Sequence, residues 1–326
     1  MKLSKKILLL TSATALSFAG WTLFYCSLTG KMVKVAVDRN KTIPKGISNG
    51  KISGSIFNEF ESHIQKASEK LRSMDTKLIE IVASDGEKLA GHLLEHKSPK
   101  RIILAMHGWR SDWSRDFGPI TDFWNYNNCT VLYADQRGHG QSGGSYIGFG
   151  LTERYDCLDW VNWINKNINT NNLPIYLAGI SMGATTVLMA SDLELPDNVH
   201  GIMADCGFTS PYEIWKHVAN NNLGISYSMV SYLANSMYRK RTDMNTDDYS
   251  TVEALENTKI PVLLIHGSDD TFVPVEMTYS NYKACTSPKK LLIVPGAKHA
   301  LSYYVNRLEY EETVKKFWKM CDNRNI

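Results

Sequence analysis

Three residues, in the order Ser181, Asp270, His299, carry the chemistry this sequence can do. A serine hydroxyl is a weak nucleophile at neutral pH and needs a base to take its proton. That base needs an acid to orient it and to stabilise its cation. Ser181 stands at the centre of Gly179-Ile180-Ser181-Met182-Gly183, a G-x-S-x-G pentapeptide after the apolar run Pro174–Ala178 and before the helical stretch Met182–Ala190. In that context a sharp strand-to-helix turn exposes the serine, and the flanking glycines let strand and helix approach closely. The helix N-terminus beneath favours developing negative charge. The N–H of Met182, next to the nucleophile, is one expected donor to an oxyanion. Asp270 follows the run Pro261–Ile265 within His266-Gly267-Ser268-Asp269-Asp270-Thr271-Phe272-Val273-Pro274, and His299 follows Lys290–Val294 within Pro295-Gly296-Ala297-Lys298-His299. Asp205, at the end of another apolar run, and Asp269 stand as alternative acids.

These residues need a scaffold that brings distant strand ends to one edge. Leu78–Ala83 and Leu89–Glu95 flank the turn signal Ser84-Asp85-Gly86-Glu87 and read as a hairpin. Short apolar runs follow at Arg101–Met106, Thr130–Ala134, Pro174–Ala178, Gly201–Ala204, Pro261–Ile265 and Lys290–Val294. Helical stretches at Thr152–Lys166, Met182–Ala190, Val275–Ala284 and Arg307–Met320 lie among them. Such alternation predicts an α/β fold, a mostly parallel central sheet with helices on both faces. The stretch 207–259 interrupts the alternation where a sheet's carboxyl edge should lie, and reads as a helical cap over a ligand site. Its Phe208, Tyr212, Trp215, Tyr227, Tyr232 and Tyr238, with Met229, Met237 and Met244, can line an apolar acyl or aryl pocket or simply pack the cap. Arg239-Lys240-Arg241 reads as a solvated charge run, or as an attractor for an anionic group. Residues 77–326 form the expected catalytic domain. Residues 31–76 read as a polar linker with one helical stretch, Phe57–Leu71.

From about residue 77 to 320 the chain resembles serine hydrolases of the α/β-hydrolase superfamily. It is most similar to the bacterial branch of membrane-anchored esterases and serine aminopeptidase-like members. The resemblance rests on the pentapeptide, on H-G-x-x-D-x-x-V-P with Asp270 in the acid position, and on G-x-x-H from Gly296 to His299. The turn Asp135-Gln136-Arg137-Gly138-His139-Gly140-Gln141-Ser142 matches D-x-R-G-x-G-x-S. The resemblance implies an α/β-hydrolase fold with a cap. It implies a carboxylesterase that cleaves a small-molecule acyl ester through an acyl-enzyme, with no metal or organic cofactor. In the family, the residue after the His-Gly pair of the loop following the strand Arg101–Met106 gives the second oxyanion N–H. Here that residue is Trp109, with Arg110 as the next candidate. His107 reads as a loop brace, and His139 as part of the turn's architecture, in which Asp135 would hold Arg137. Peptidase, thioesterase and acyltransferase chemistry are alternatives on the same fold. A non-catalytic membrane-anchored binding protein is the alternative from another class, and an intact triad argues against it.

Composition narrows the rest. The chain has 326 residues, enough for one large domain or two small ones. Lys+Arg 36 against Asp+Glu 33 leaves a net charge of +3, too small to announce a nucleic-acid partner. No G-x-G-x-x-G opens an early βα unit and no P-loop occurs. The 6 cysteines are scattered, with no CxxC pair and no zinc spacing, and read as thiols rather than a disulfide framework. Lys2, Lys5 and Lys6 precede an uncharged run from Ile7 to Gly30, long enough as a helix for a ~30 Å hydrocarbon core. Trp21, Phe24 and Tyr25 lie where an aromatic belt would sit. Residues 1–30 are therefore expected to be a single-pass anchor in the cell membrane, with the catalytic domain extracytoplasmic. The alternatives are a secreted protein cleaved near Ser17-Phe18-Ala19 and a helix buried against protein.

Overall fold

The structure is a computed structural model describing residues 23–41 and 60–323. Among them, eight strands form one sheet in the order β1-β2-β4-β3-β5-β6-β7-β8. Their ranges are β1 Lys77–Val82, β2 Lys88–Leu94, β3 Arg101–Met106, β4 Cys129–Asp135, β5 Ile175–Ile180, β6 Val199–Asp205, β7 Val262–Gly267 and β8 Lys289–Val294. β1 pairs antiparallel with β2, and β2 with β4; every pairing from β4 through β8 is parallel. The inner strands are buried on both faces, which is why they read as continuous apolar runs rather than alternating ones. This is the α/β-hydrolase architecture expected from the sequence.

Each face of the sheet buries its own cluster. On one, Phe117 and Trp124 of the helix Trp113–Tyr126 and Phe317 and Trp318 of the helix Arg307–Asp322 pack against Ile103, Val131 and Tyr176. On the other, Trp160 of the helix Glu153–Asn167, Leu188 of the helix Met182–Ala190 and Leu255 of the helix Thr251–Asn257 pack against Leu104, Leu132 and Leu177. The helix Trp113–Tyr126 was not read from the sequence, because Gly118 and Pro119 act as breakers inside it. Its start is nonetheless well capped: the Asp112 carboxylate accepts the N–H groups of Ser114 and Arg115. Gly118 also has a packing reason, since a Cβ there would stand 2.6 Å from the Ala67 carbonyl oxygen of the helix Glu61–Arg72.

Between β6 and β7 lies the expected helical insertion. It comprises Pro211–His217, a wider turn at Val218–Asn222, then Tyr227–Thr242 and Thr251–Asn257. A third cluster joins Phe208, Ile214 and Tyr238 of this region to Phe149, Met182 and Val273 of the sheet edge. The same cluster takes in Val33 and Val37, from a helix spanning residues 23–37.

That helix corrects the expectation of a single-pass membrane anchor. Among the described residues, no helix is long and apolar enough to cross a membrane. The described end of the apolar run, 23–30, continues unbroken to 37 through the exposed charges of Lys31 and Lys34. Its inner face packs on protein: Gly30 lies against Met237, and Val33 and Val37 are buried. The remainder of the expected span, 7–22, and the alternative cleavage site at 17–19 lie outside the described residues. So do residues 57–59 of the helical stretch read at Phe57–Leu71, whose described part is the helix Glu61–Arg72.

Candidate active site

The strand ends of β5, β7 and β8 meet above the sheet. Ser181 follows β5 and caps the helix Met182–Ala190 with φ 55 and ψ −117, a left-handed conformation that a non-glycine residue adopts only under strain. The two glycines of the pentapeptide are there for space. A Cβ on Gly183 would stand 1.8 Å from the Met106 carbonyl oxygen, and one on Gly179 2.2 Å from the Gly183 carbonyl oxygen. Strand, turn and helix can close around Ser181 only with hydrogen at both positions.

The structure brings the three sequence-expected residues together. His299 Nε2 lies 2.9 Å from Ser181 Oγ, and His299 Nδ1 lies 2.7 Å from Asp270 Oδ2. A carboxylate can only accept when ionised, so the ring proton sits on Nδ1 and the Nε2 lone pair faces the serine hydroxyl. Asp270 Oδ1 accepts the N–H groups of Phe272 and Val273, both at 2.9 Å, which fixes the carboxylate plane. Burial opposes its charge, but His299 and the hydrogen bonds from His266 and His299 outweigh burial and hold it well below the usual carboxylate range. Burial likewise works against a charged His299, while the charge and hydrogen bond of Asp270 prevail and raise its pKa above the ordinary imidazole value. Ser181 and His299 are only 6% and 9% exposed. An ionised acid, an oriented base and a hydroxyl in one chain can pass a proton from the serine to the histidine as the oxygen attacks.

The alternative acids do not reach the base. Asp269 is exposed and accepts from Ser268 Oγ. Asp205 is buried, accepts from Ser302 Oγ at 3.1 Å, and is pushed up to about 6 chiefly by burial. It borders a cavity of about 60 Å³ behind the turn, shared with Asp116, Ile180, Ala300 and Tyr310.

The loop after β3 lies beside Ser181: a Cβ on Gly108 would be 3.3 Å from Ser181 Cβ. Among the described residues, the N–H groups of Trp109 and Met182 have no hydrogen-bond acceptor in the protein. Arg110, the other candidate donor, gives its N–H to His139 Nε2 at 3.0 Å. His107 braces the loop: its Nδ1–H donates to the Gly108 carbonyl at 2.8 Å, and its Nε2 accepts the Gln136 N–H at 3.1 Å. His139 is buried and held neutral, its pKa pushed down to about 3 by burial and the neighbouring His107. Asp135 does not hold Arg137. It accepts the Gln141 N–H, while Arg137 pairs with Asp156 and Asp85.

Three neighbours escaped the sequence reading. His266 Nε2 is flanked by two acceptors, Asp270 Oδ2 at 3.1 Å and the Val273 carbonyl at 2.9 Å, so it carries a proton and steadies the acid. Its position four residues before Asp270, within the quoted motif, was the available signal. Asp116 accepts the Gly108 N–H at 2.6 Å and anchors the β3 loop; it lies in the helix the sequence concealed. Cys206, with φ 50 after β6, places its Sγ within 4.8 Å of donor atoms of Asp270 and His299. Burial pushes this thiol well above its ordinary pKa, and the other two groups are already spent on each other. Above the triad, Phe272 meets the His299 ring edge-on at 5.0 Å, and Phe149 links Trp109, Phe208 and Trp215 in an aromatic wall. Tyr232 and Met229 of the insertion point outward and take no part in that wall.

Fold and family together define a serine hydrolase of the α/β-hydrolase class. The chain belongs to the prolyl oligopeptidase family, which residues 116–324 match. It is 29% identical over 266 residues to Uncharacterized protein YqkD of Bacillus subtilis (strain 168), covering 79% of this chain and 83% of that one. Among solved structures, the Pyrococcus furiosus esterase Pf2001 superposes with a TM-score of 0.63 at 24% identity, over 77% of this chain and 93% of that one. The Pyrococcus horikoshii acylaminoacyl peptidase gives a TM-score of 0.58 at 17% identity, over 78% of this chain and 42% of that one. At these identities the structural likenesses show a shared fold.

Proposed function

We propose that this protein is a carboxylesterase acting on small-molecule acyl esters through an acyl-enzyme intermediate. Ser181 Oγ attacks the acyl carbonyl as His299 Nε2 takes its proton. Asp270 keeps His299 in the required tautomer and stabilises its imidazolium. The N–H groups of Met182 and Trp109 receive the oxyanion. His299 then protonates the departing alcohol, and in the second half activates water to release the acid. The observation that carries this reading is the continuous Ser181–His299–Asp270 hydrogen-bond chain on a strained turn.

Ester rather than protein substrates are supported by enclosure. The low exposure of Ser181, Asp270 and His299, and the clustering of Phe149, Phe208 and Phe272 with the insertion, favour a compact apolar or aryl acyl group over an extended chain. A peptidase acting on short blocked peptides is the second reading, favoured by the family the chain belongs to.

The test is intact-mass analysis of the full chain after fluorophosphonate treatment, beside Ser181→Ala, followed by kcat/KM on matched p-nitrophenyl esters and acyl p-nitroanilides. One adduct lost in the variant, with ester turnover and no measurable turnover of the anilides, supports the proposal. Turnover of the anilides that is lost in Ser181→Ala establishes the peptidase instead, and no adduct on folded wild type sinks both.

A further inference from the structure

The loop that carries Trp109 is held from outside the sheet. Two consecutive side chains, Trp109 and Arg110, reach to the end of the helix spanning residues 23–37. The Trp109 indole Nε1–H donates to the Ala36 carbonyl at 2.8 Å. Arg110 Nε donates to the Val35 carbonyl at 3.0 Å, its Nη2 to Val35 at 2.6 Å and Asp38 at 2.7 Å, and its Nη1 to Arg39 at 3.3 Å. The last carbonyls of a helix have no partner inside it and carry the negative end of its dipole, so a guanidinium is well matched to them. Arg110 itself sits at φ 52, an arrangement maintained only by what surrounds it. With its N–H taken by His139, Arg110 has every observed bond directed at holding the loop.

The helix end is in turn tied down on its far side. Asp38 pairs with Arg241 of the insertion at 2.6 Å. Arg39 donates to the carbonyls of Gly140 at 2.7 Å and Gly144 at 3.3 Å, and the Ile147 N–H reaches the Val37 carbonyl at 2.8 Å. Residues 35–39 are thus a junction between the insertion, the 137–147 turn and the β3 loop. None of the β3 loop or this junction falls within the stretch 116–324 that matches the family.

We propose that Arg110 is a positioning residue that sets the Trp109 N–H over Ser181 by capping the helix at residues 35–39, so that this N-terminal helix is a working part of the oxyanion site. The inference rests on the serine-hydrolase reading of Ser181. A donor displaced by about an ångström loses much of its value to a developing alkoxide while leaving ground-state binding nearly intact.

The test uses the full chain and its variants Arg110→Ala, Arg110→Lys and Trp109→Phe. Measured are kcat and KM on p-nitrophenyl butyrate, the rate of fluorophosphonate labelling, and the thermal midpoint. Arg110→Ala should lower kcat and the labelling rate together by about 10- to 100-fold, with KM within about twofold. Arg110→Lys should recover part of the loss. Trp109→Phe, which keeps an aromatic ring and the backbone N–H but loses the bond to Ala36, should lower kcat severalfold. Folded Arg110→Ala with kcat within about twofold of wild type, or with its whole deficit in KM, overturns the proposal. Should Arg110→Ala not fold, Arg110→Gln, which keeps the stem but loses the guanidinium, decides on the same criterion. Wild type that fails to label refutes the reading of Ser181 itself, and this inference with it.

Discussion

The two N–H groups proposed to receive the oxyanion are built in opposite ways. Met182 is positioned by its own neighbours: β5, a strained Ser181 and two glycines place it at a helix N-terminus within a single turn. The Trp109 loop is held by side chains and carbonyls of other elements. Asp116 holds Gly108, His139 holds Arg110, and the end of the helix spanning 23–37 holds both Trp109 and Arg110. The first site is rigid because there is no room for anything else. The second is held by hydrogen bonds to side chains and carbonyls of other elements, with no comparable steric block. One half of the site is therefore sensitive to volume, the other to loss of partners.

The contrast can be broken most severely at Gly183. Gly183→Ala puts a methyl group 1.8 Å from a backbone oxygen and should destabilise by more than about 4 kcal/mol or yield no soluble protein, read by circular dichroism and thermal melting. Ser181→Ala should fold as wild type yet lose about 10⁶-fold in kcat on p-nitrophenyl butyrate.

Asp270→Asn should cost on the order of 10⁴-fold in kcat, because the amide no longer selects the productive His299 tautomer. The pH profile sharpens this prediction. The base works when neutral, so kcat/KM should rise with pH through the His299 ionisation. Because Asp270 raises that pKa, the wild-type limb should lie above the ordinary value of about 6.5. In Asp270→Asn the limb should move to lower pH; an unmoved limb would show that Asp270 is not the partner. Gly108→Ala meets atoms only at 3.3 Å, from Asp116 and Ser181. The suspended loop should give way, retaining the fold and lowering kcat about 10-fold. Tyr232→Ser, at an 89% exposed position of the insertion, should change stability by no more than about 0.5 kcal/mol and leave kcat unchanged.

What was legible in the amino-acid sequence follows the same division. The inner strands announced themselves because a strand buried on both faces must be apolar throughout. Ser181, Asp270 and His299 were legible because each lies in a short segment whose turn chemistry is local. Arg110 as a cap, Asp116 as a loop anchor and the pairing of Arg137 with Asp156 and Asp85 were not, since each depends on a partner brought near only by folding. The helix Trp113–Tyr126 was concealed by Gly118 and Pro119, which local propensity counts against a helix and tertiary packing against residue 67 accommodates.

The N-terminal helix marks the boundary most clearly. Its sequence determined that an apolar face must be buried, because transferring that surface from water is favourable wherever it goes. Hydrophobicity has no direction, so the same pattern suits a bilayer or a protein surface. Only the tertiary structure decided that Val33 and Val37 join the buried cluster that holds Phe149 and Tyr238, and that the helix ends where Arg110 can cap it.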